Sequence, residues 1–181
     1  MSQVFLKEMP LEELIERSSF IFVVSKLGPF ITKEDVPIHK GKDDVKYPPF
    51  TKIISHFEVL EEVYNASKDP LISVGMNKFL EGRITGKKIE VLQGNYSSKL
   101  DIHKLFYLEK RSKSYESPIY GPAKGSGGSK GMDLEKQSEL IVFLNYNHGE
   151  KQFEFAAKSA YESVSKKAKV KKLVKEIKSN G

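Results

Sequence analysis

Apolar residues recur along this chain in two spacings, and the spacing changes from one stretch to the next. Over residues 10–19, Leu11, Leu14 and Ile15 fall at helical intervals, with Glu12, Glu13 and Glu16 between them. Acids near the start and three- and four-residue spacing predict a short helix that ends at Ser18-Ser19. Phe20-Ile-Phe-Val-Val-Ser-Lys-Leu27 follows, closed by Gly28-Pro29. It is β-branched and aromatic and too short for a buried helix, so it predicts a strand.

Phe50 to Val63 carries the clearest alternation. Ile53, Ser55, Phe57 and Val59 share one face, and Ile54, His56, Glu58 and Leu60 the other. A strand of this length exceeds the usual five or six residues and is expected to be bent or bulged, as where one strand serves two sheets. Residues 71–82 are ambiguous, with Leu71, Ile72, Val74, Met76, Phe79 and Leu80 fitting one helix stopped by Gly82. Lys87 to Leu92 form a short strand with Ile89 and Val91 on one side, and a helix over 99–110 is predicted behind Ser98 as its cap. Leu140 to Tyr146 and Lys151 to Ala157 flank Asn147-His-Gly-Glu150, which predicts an antiparallel hairpin. Ser165 to Lys178 places Val170, Leu173, Val174 and Ile177 at amphipathic spacing, a terminal helix with lysines around its outer face.

Two stretches break the pattern. Residues 28–49 hold Pro29, Pro37, Pro48 and Pro49 and the run Lys40-Gly-Lys-Asp-Asp44, which predicts a long loop. Residues 111–138 include Gly121-Pro-Ala-Lys-Gly-Ser-Gly-Gly-Ser-Lys-Gly131 and are predicted flexible. The predicted core is Phe22, Val24, Phe57, Val59, Ile89, Val91, Ile141, Phe143, Phe153 and Phe155. The expected fold is therefore α+β and mainly antiparallel β. Five to six strands curl into an OB-like barrel with flanking N- and C-terminal helices, in a single domain over 1–181.

Charge changes the picture in one place. The chain's formal net charge is +6. Residues 158–181 contain eight lysines against Glu162 and Glu176, and the basic and acidic groups before them cancel. A neutral body thus carries one cationic helix. Its Lys166, Lys167, Lys169, Lys171, Lys172, Lys175 and Lys178, with His39, Lys40 and Lys42 of the long loop, are the candidate partner-binding residues. Arginine is confined to Arg17, Arg83 and Arg111. Arginine is the residue that reads bases and clamps phosphate bidentately, so its scarcity weighs against sequence-specific nucleic-acid recognition. Tyr161 is the only aromatic near the lysines, so a stacking platform for single strands is lacking there.

The chemistry that the residue types could support is mostly ruled out. No cysteine is present, which removes disulfides, thiolate nucleophiles and Cys-based zinc sites. His39, His56, His103 and His148 are isolated, with no metal-ligand spacing. The glycine-rich stretch fails both phosphate-loop patterns. Ser163-Val-Ser-Lys166 matches Ser-x-x-Lys, but the Ser-Asp-Asn and Lys-Thr-Gly elements that give it meaning are absent. Glu61-Glu62 and Asp43-Asp44 are adjacent, so on a strand their members point to opposite faces and read as solvated surface. Asn65-Ala-Ser67 and Asn95-Tyr-Ser97 match the glycosylation acceptor pattern. No cofactor is expected. No stretch is apolar over the length that crosses a bilayer, and Met1 to Pro10 carries Lys7 and Glu8 where a leader has its apolar core. The expected compartment is cytoplasmic if this N-terminus is native, and secreted or periplasmic if a leader was removed.

The order Ser19-Phe-Ile-Phe-Val-Val-Ser-Lys26, Phe57-Glu-Val-Leu-Glu-Glu62, Gly86-Lys-Lys-Ile-Glu-Val91, Leu140-Ile-Val-Phe-Leu144 and a terminal helix resembles OB-type barrels of the netrin-module and tissue-inhibitor-of-metalloproteinase class. The likeness covers about half the chain, in pieces. It implies a barrel whose loops bind something. That class commonly anchors its N-terminus through cysteines, which this chain lacks, so its inhibitory edge is carried to no residue here. The expected function is a non-catalytic module that binds another protein. The alternatives are a nucleic-acid-associated or anionic-surface-binding OB-type protein, and an enzyme with a site dispersed in sequence.

Overall fold

The computed structural model describes residues 4–36, 50–68, 84–92, 115–120, 136–147 and 152–179. In chain order the elements are β1 (Val4–Met9), α1 (Leu11–Arg17), β2 (Phe20–Lys26), β3 (Thr32–Val36), β4 (Phe50–Asn65), β5 (Lys88–Leu92), β6 (Tyr115–Tyr120), β7 (Glu139–Asn147), β8 (Gln152–Phe155), β9 (Tyr161–Glu162) and α2 (Lys167–Lys178). The helices predicted over 71–82 and 99–110 lie outside the described residues.

Five strands close on themselves in the order β2-β4-β5-β8-β7 and back to β2. Every neighbouring pair is antiparallel except β5 with β8. Numbered along the chain, the barrel strands run one-two-three-five-four-one. The architecture is the expected α+β one: an OB-like barrel, with α1 before its first strand and α2 after its last. Closure leaves the barrel strands no unpaired edge where they meet.

β4 makes closure feasible. At 16 residues it serves β2, β3 and β5 in turn. Its register with β2 shifts twice, between Ile21 and Phe22 and between Val23 and Val24. Each shift leaves an extra β4 residue, Val63 and Leu60, so the strand bends as its length predicts.

The interior is defined by rings that meet across the barrel. Phe20 and Phe22 of β2 contact Phe153 of β8, with centroids at 5.2 and 5.9 Å. Phe57 of β4 contacts Phe155 edge-on at 6.4 Å. Neither pair is on neighbouring strands, so these faces point inward. Phe30, from the turn between β2 and β3, enters the same space beside Phe57, Phe155 and Tyr161. Ser55 donates its hydroxyl to the Phe30 carbonyl and fixes that turn.

All ten predicted core residues are buried, but two sit on a different face from the rest. Phe22 is opposite Val142, and Ile21 is opposite Phe143. Ile141 and Phe143 therefore project outward with Ile21 and Val23, and Leu140, Val142 and Leu144 fill the barrel. The outward set is equally buried, and Phe143 meets Tyr120 of β6 at 6.2 Å. Strands buried on both faces read as unbroken apolar runs, so their sequence hides which residues face inward.

Two strands lie where composition predicts loop. Thr32–Val36 pairs with the first residues of β4. Tyr115–Tyr120, inside the stretch predicted flexible, pairs in parallel with Val4–Met9. Tyr120 extends this contact by donating its backbone N–H to the Lys158 carbonyl at 2.9 Å. Strand pairing uses backbone groups that every residue except proline carries in full, so segments without an apolar pattern join a sheet when the fold sets them beside a partner.

Candidate functional site

The terminal helix α2 is built in three steps. Ser163 caps the single 3-10 turn at Val164–Lys166, its hydroxyl accepting from the Ser165 N–H, so the α-helix proper begins at Lys167 rather than Ser165. Val170 and Val174 are buried, and Leu173 and Ile177 pack half-buried against the core. This stripe seats the helix against α1 and β4. Its lysines then divide by what they touch.

Three lysines fasten the helix. Lys167 and Lys171, one turn apart, reach the same carboxylate on β4: Nζ to Glu61 Oε2 at 3.2 Å and to Oε1 at 2.5 Å. The hydrogen bond from Lys171, with help from Lys167 and against partial burial, holds the Glu61 carboxyl below the usual carboxylate range. Lys178, in the last turn, donates to the carbonyls of Glu16 and Ser18 at 3.1 and 3.0 Å. These carbonyls lie at the end of α1, where the helix leaves them without internal partners. The ammonium also lies 4.8 Å from the centre of the Tyr64 ring. Burial lowers the Lys178 pKa from its ordinary value.

The others face away. Lys166, Lys169, Lys172 and Lys175 are exposed, and none of their ammonium groups makes a hydrogen bond or ion pair to a described residue. Lys169, Lys172 and Lys175 recur at three-residue spacing on the side of α2 away from its apolar stripe, and Lys166 precedes the helix in the 3-10 turn. The seven candidate lysines thus form two groups, three structural and four presented to solvent. His39, Lys40 and Lys42 lie outside the described residues.

Several polar groups with no sequence signal take structural roles. Glu61 and Glu62 point apart, as adjacent strand residues must, yet neither is an idle surface acid. Glu62 Oε1 accepts from the Asn65 side-chain amide at 2.9 Å and from the Ile84 N–H at 3.1 Å. Asn65 Oδ1 accepts from the Ser67 N–H and hydroxyl. Asn65 is only 7% exposed, so this glycosylation-type triplet is folded into a buried hydrogen-bond network. Asn95 lies outside the described residues. Glu162, 5% exposed, accepts from the Tyr120 hydroxyl at 2.7 Å and from the Ser163 N–H at 3.1 Å. Burial first, and then this carboxylate, push the Tyr120 pKa well above the usual phenol range. No short-range pattern marks the Tyr120–Glu162 pair, because 42 residues separate its members.

OB barrels bind oligonucleotides on the outer face of the second and third barrel strands, here β4 and β5. That face presents His56, Glu58, Leu60, Lys88 and Glu90. His56 Nδ1 stands 3.8 Å from Glu90 Oε1, and Gln152 donates its side-chain amide to Glu90 Oε2 at 2.9 Å. The face mixes both signs of charge and carries no Phe, Tyr or Trp at these positions. Among the described residues no three His, Asp or Glu side chains converge as metal ligands. No helix among them is long and apolar enough to cross a membrane.

Comparison with protein-family models, with curated proteins and with solved structures finds no match.

Proposed function

We propose that this chain is a non-catalytic binding module that docks an acidic segment of another protein on the outer row of α2. The observation that carries the reading is the division of the lysines. Lys167, Lys171 and Lys178 hold the helix to the body, and Lys169, Lys172 and Lys175, with Lys166 just ahead of the helix, are left as exposed cations on a fixed support. A charge on a docked helix loses less freedom on binding than one on a loose tail, and so retains more of its interaction energy. The netrin-module likeness adds a barrel that offers peripheral elements to a partner. The nucleic-acid alternative rests on the same row, but the mixed, ring-poor outer face of β4 and β5 gives it no second contact area.

The test is fluorescence anisotropy with a labelled Glu/Asp-rich peptide at low salt. Three exposed contacts at about 0.5 kcal/mol each set the scale, so the combined Lys169→Glu, Lys172→Glu and Lys175→Glu variant loses affinity about tenfold or more. Lys33→Glu, an exposed lysine on β3, serves as the control and leaves binding unchanged. The reading fails if the peptide does not bind, if the control loses as much, or if a single-stranded oligonucleotide of equal charge binds more tightly.

A further inference from the structure

We propose that Glu61 is a specificity-determining residue: by occupying Lys167 and Lys171 it withholds two cations from polyanions and keeps nucleic acid from competing for α2. The proposal rests on reading α2 as the docking surface. Its own evidence is the two-to-one geometry on β4.

Each oxygen of the Glu61 carboxylate takes one ammonium, Lys171 on Oε1 and Lys167 on Oε2. The two lysines lie one turn apart, on the flank of α2 between its apolar stripe and the exposed row. Their side chains are still 44% exposed, and that of Glu61 35%. They are within reach of solvent, but the one carboxylate cancels one of their two charges from within the fold. A phosphate backbone gains affinity when protein cations take the place of its condensed counterions and release them into solution. A lysine paired with an internal carboxylate contributes little to that exchange. Capturing it breaks the pair and leaves a carboxylate facing phosphate.

Without Glu61, the flank lysines would join Lys169, Lys172 and Lys175 in one cationic arc, with exposed Glu176 as the acid on its outer side. Extended polyanions would gain most, because they span the whole arc. A short acidic segment seated on the outer row would gain less. Adjacent Glu62 does not replace Glu61, since its carboxylate turns to Asn65 and Ile84.

The experiment compares the full chain, E61Q and the triple variant E61Q/K167Q/K171Q. The probe is a short DNA duplex of arbitrary sequence, measured by anisotropy from low to moderate salt. E61Q adds one net charge and frees two lysines, so its log–log salt slope steepens by about 0.9 to 1.8 over the full chain. The triple variant loses this gain and falls to the parent slope or below it. It carries any loosening of α2 that loss of Glu61 causes, so a gain seen in E61Q and absent in the triple belongs to the two lysines. If the parent does not bind duplex at low salt, binding by E61Q alone supports the assignment. Equal slopes for parent and E61Q, a gain that survives in the triple variant, or binding by neither protein overturns it. Acidic-peptide binding by the parent is scored separately. Its absence refutes the docking reading, and the duplex comparison still decides the role of Glu61.

Discussion

Replacing Tyr120 with Phe removes one oxygen and tests the part-buried contact that ties β6 to the end of the barrel. The Tyr120 hydroxyl donates to Glu162 Oε2 at 2.7 Å, and Glu162 is 5% exposed. The other oxygen of that carboxylate accepts from the Ser163 N–H at 3.1 Å. Hydrogen bonds to a charged group contribute about 1.5–3 kcal/mol, so Tyr120→Phe costs about 2 kcal/mol near pH 7. The pH dependence separates this mechanism from simple repacking. The folded-state pKa of Tyr120 lies above its ordinary value of 10.0. A raised pKa stabilises the fold fully below the unfolded value, and that stability is lost as pH rises from there toward the folded one. The wild type therefore loses about 1.4 kcal/mol per pH unit above 10 that the Phe variant does not lose. The gap between the two proteins is constant from pH 7 to 9 and closes at about pH 11.5. Tyr161, whose pKa is also raised by burial, titrates in both proteins and cancels. Urea unfolding at a series of fixed pH values, with slopes checked for equality, reads the gap directly. A gap that persists or widens above pH 10 would refute the reasoning.

Two further outcomes are expected. Val170 is fully buried under α2, and Val170→Ala, by lost transfer energy plus a cavity, lowers stability by about 2 kcal/mol in urea unfolding. Lys172→Ala stays within about 0.5 kcal/mol, and equal costs for the two would mean that the helix is not docked. Gly28 has φ +97° with nothing within 4 Å of an added Cβ. Gly28→Ala is penalised through its backbone alone, by about 1–2 kcal/mol in the same assay, and a neutral result would show that the turn before Phe30 relaxes freely.

Much of the barrel is legible in the order of residues. The alternation over Phe50 to Val63 announces a strand too long for one partner, and the two bulges at Val63 and Leu60 are how that length is used. Val170, Leu173, Val174 and Ile177 locate the seated face of α2. The lysines are legible as a group, but their division is not. Lys167 and Lys171 differ from Lys169 and Lys172 only in facing Glu61, more than 100 residues earlier in the chain.

Periodicity, turn residues and charge are local properties, written within a dozen residues. They determined the long strand, the hairpin, both flanking helices, ten residues of the core and the concentration of charge at the C-terminus. Strand order around the barrel, the parallel pairing of Val4–Met9 with Tyr115–Tyr120, the inward face of Leu140–Leu144 and the partners of Glu61, Glu62 and Glu162 were decided only in three dimensions. Each depends on which remote segments the closing sheet brings within a few ångströms, and backbone hydrogen bonds and carboxylates accept any suitable donor placed there.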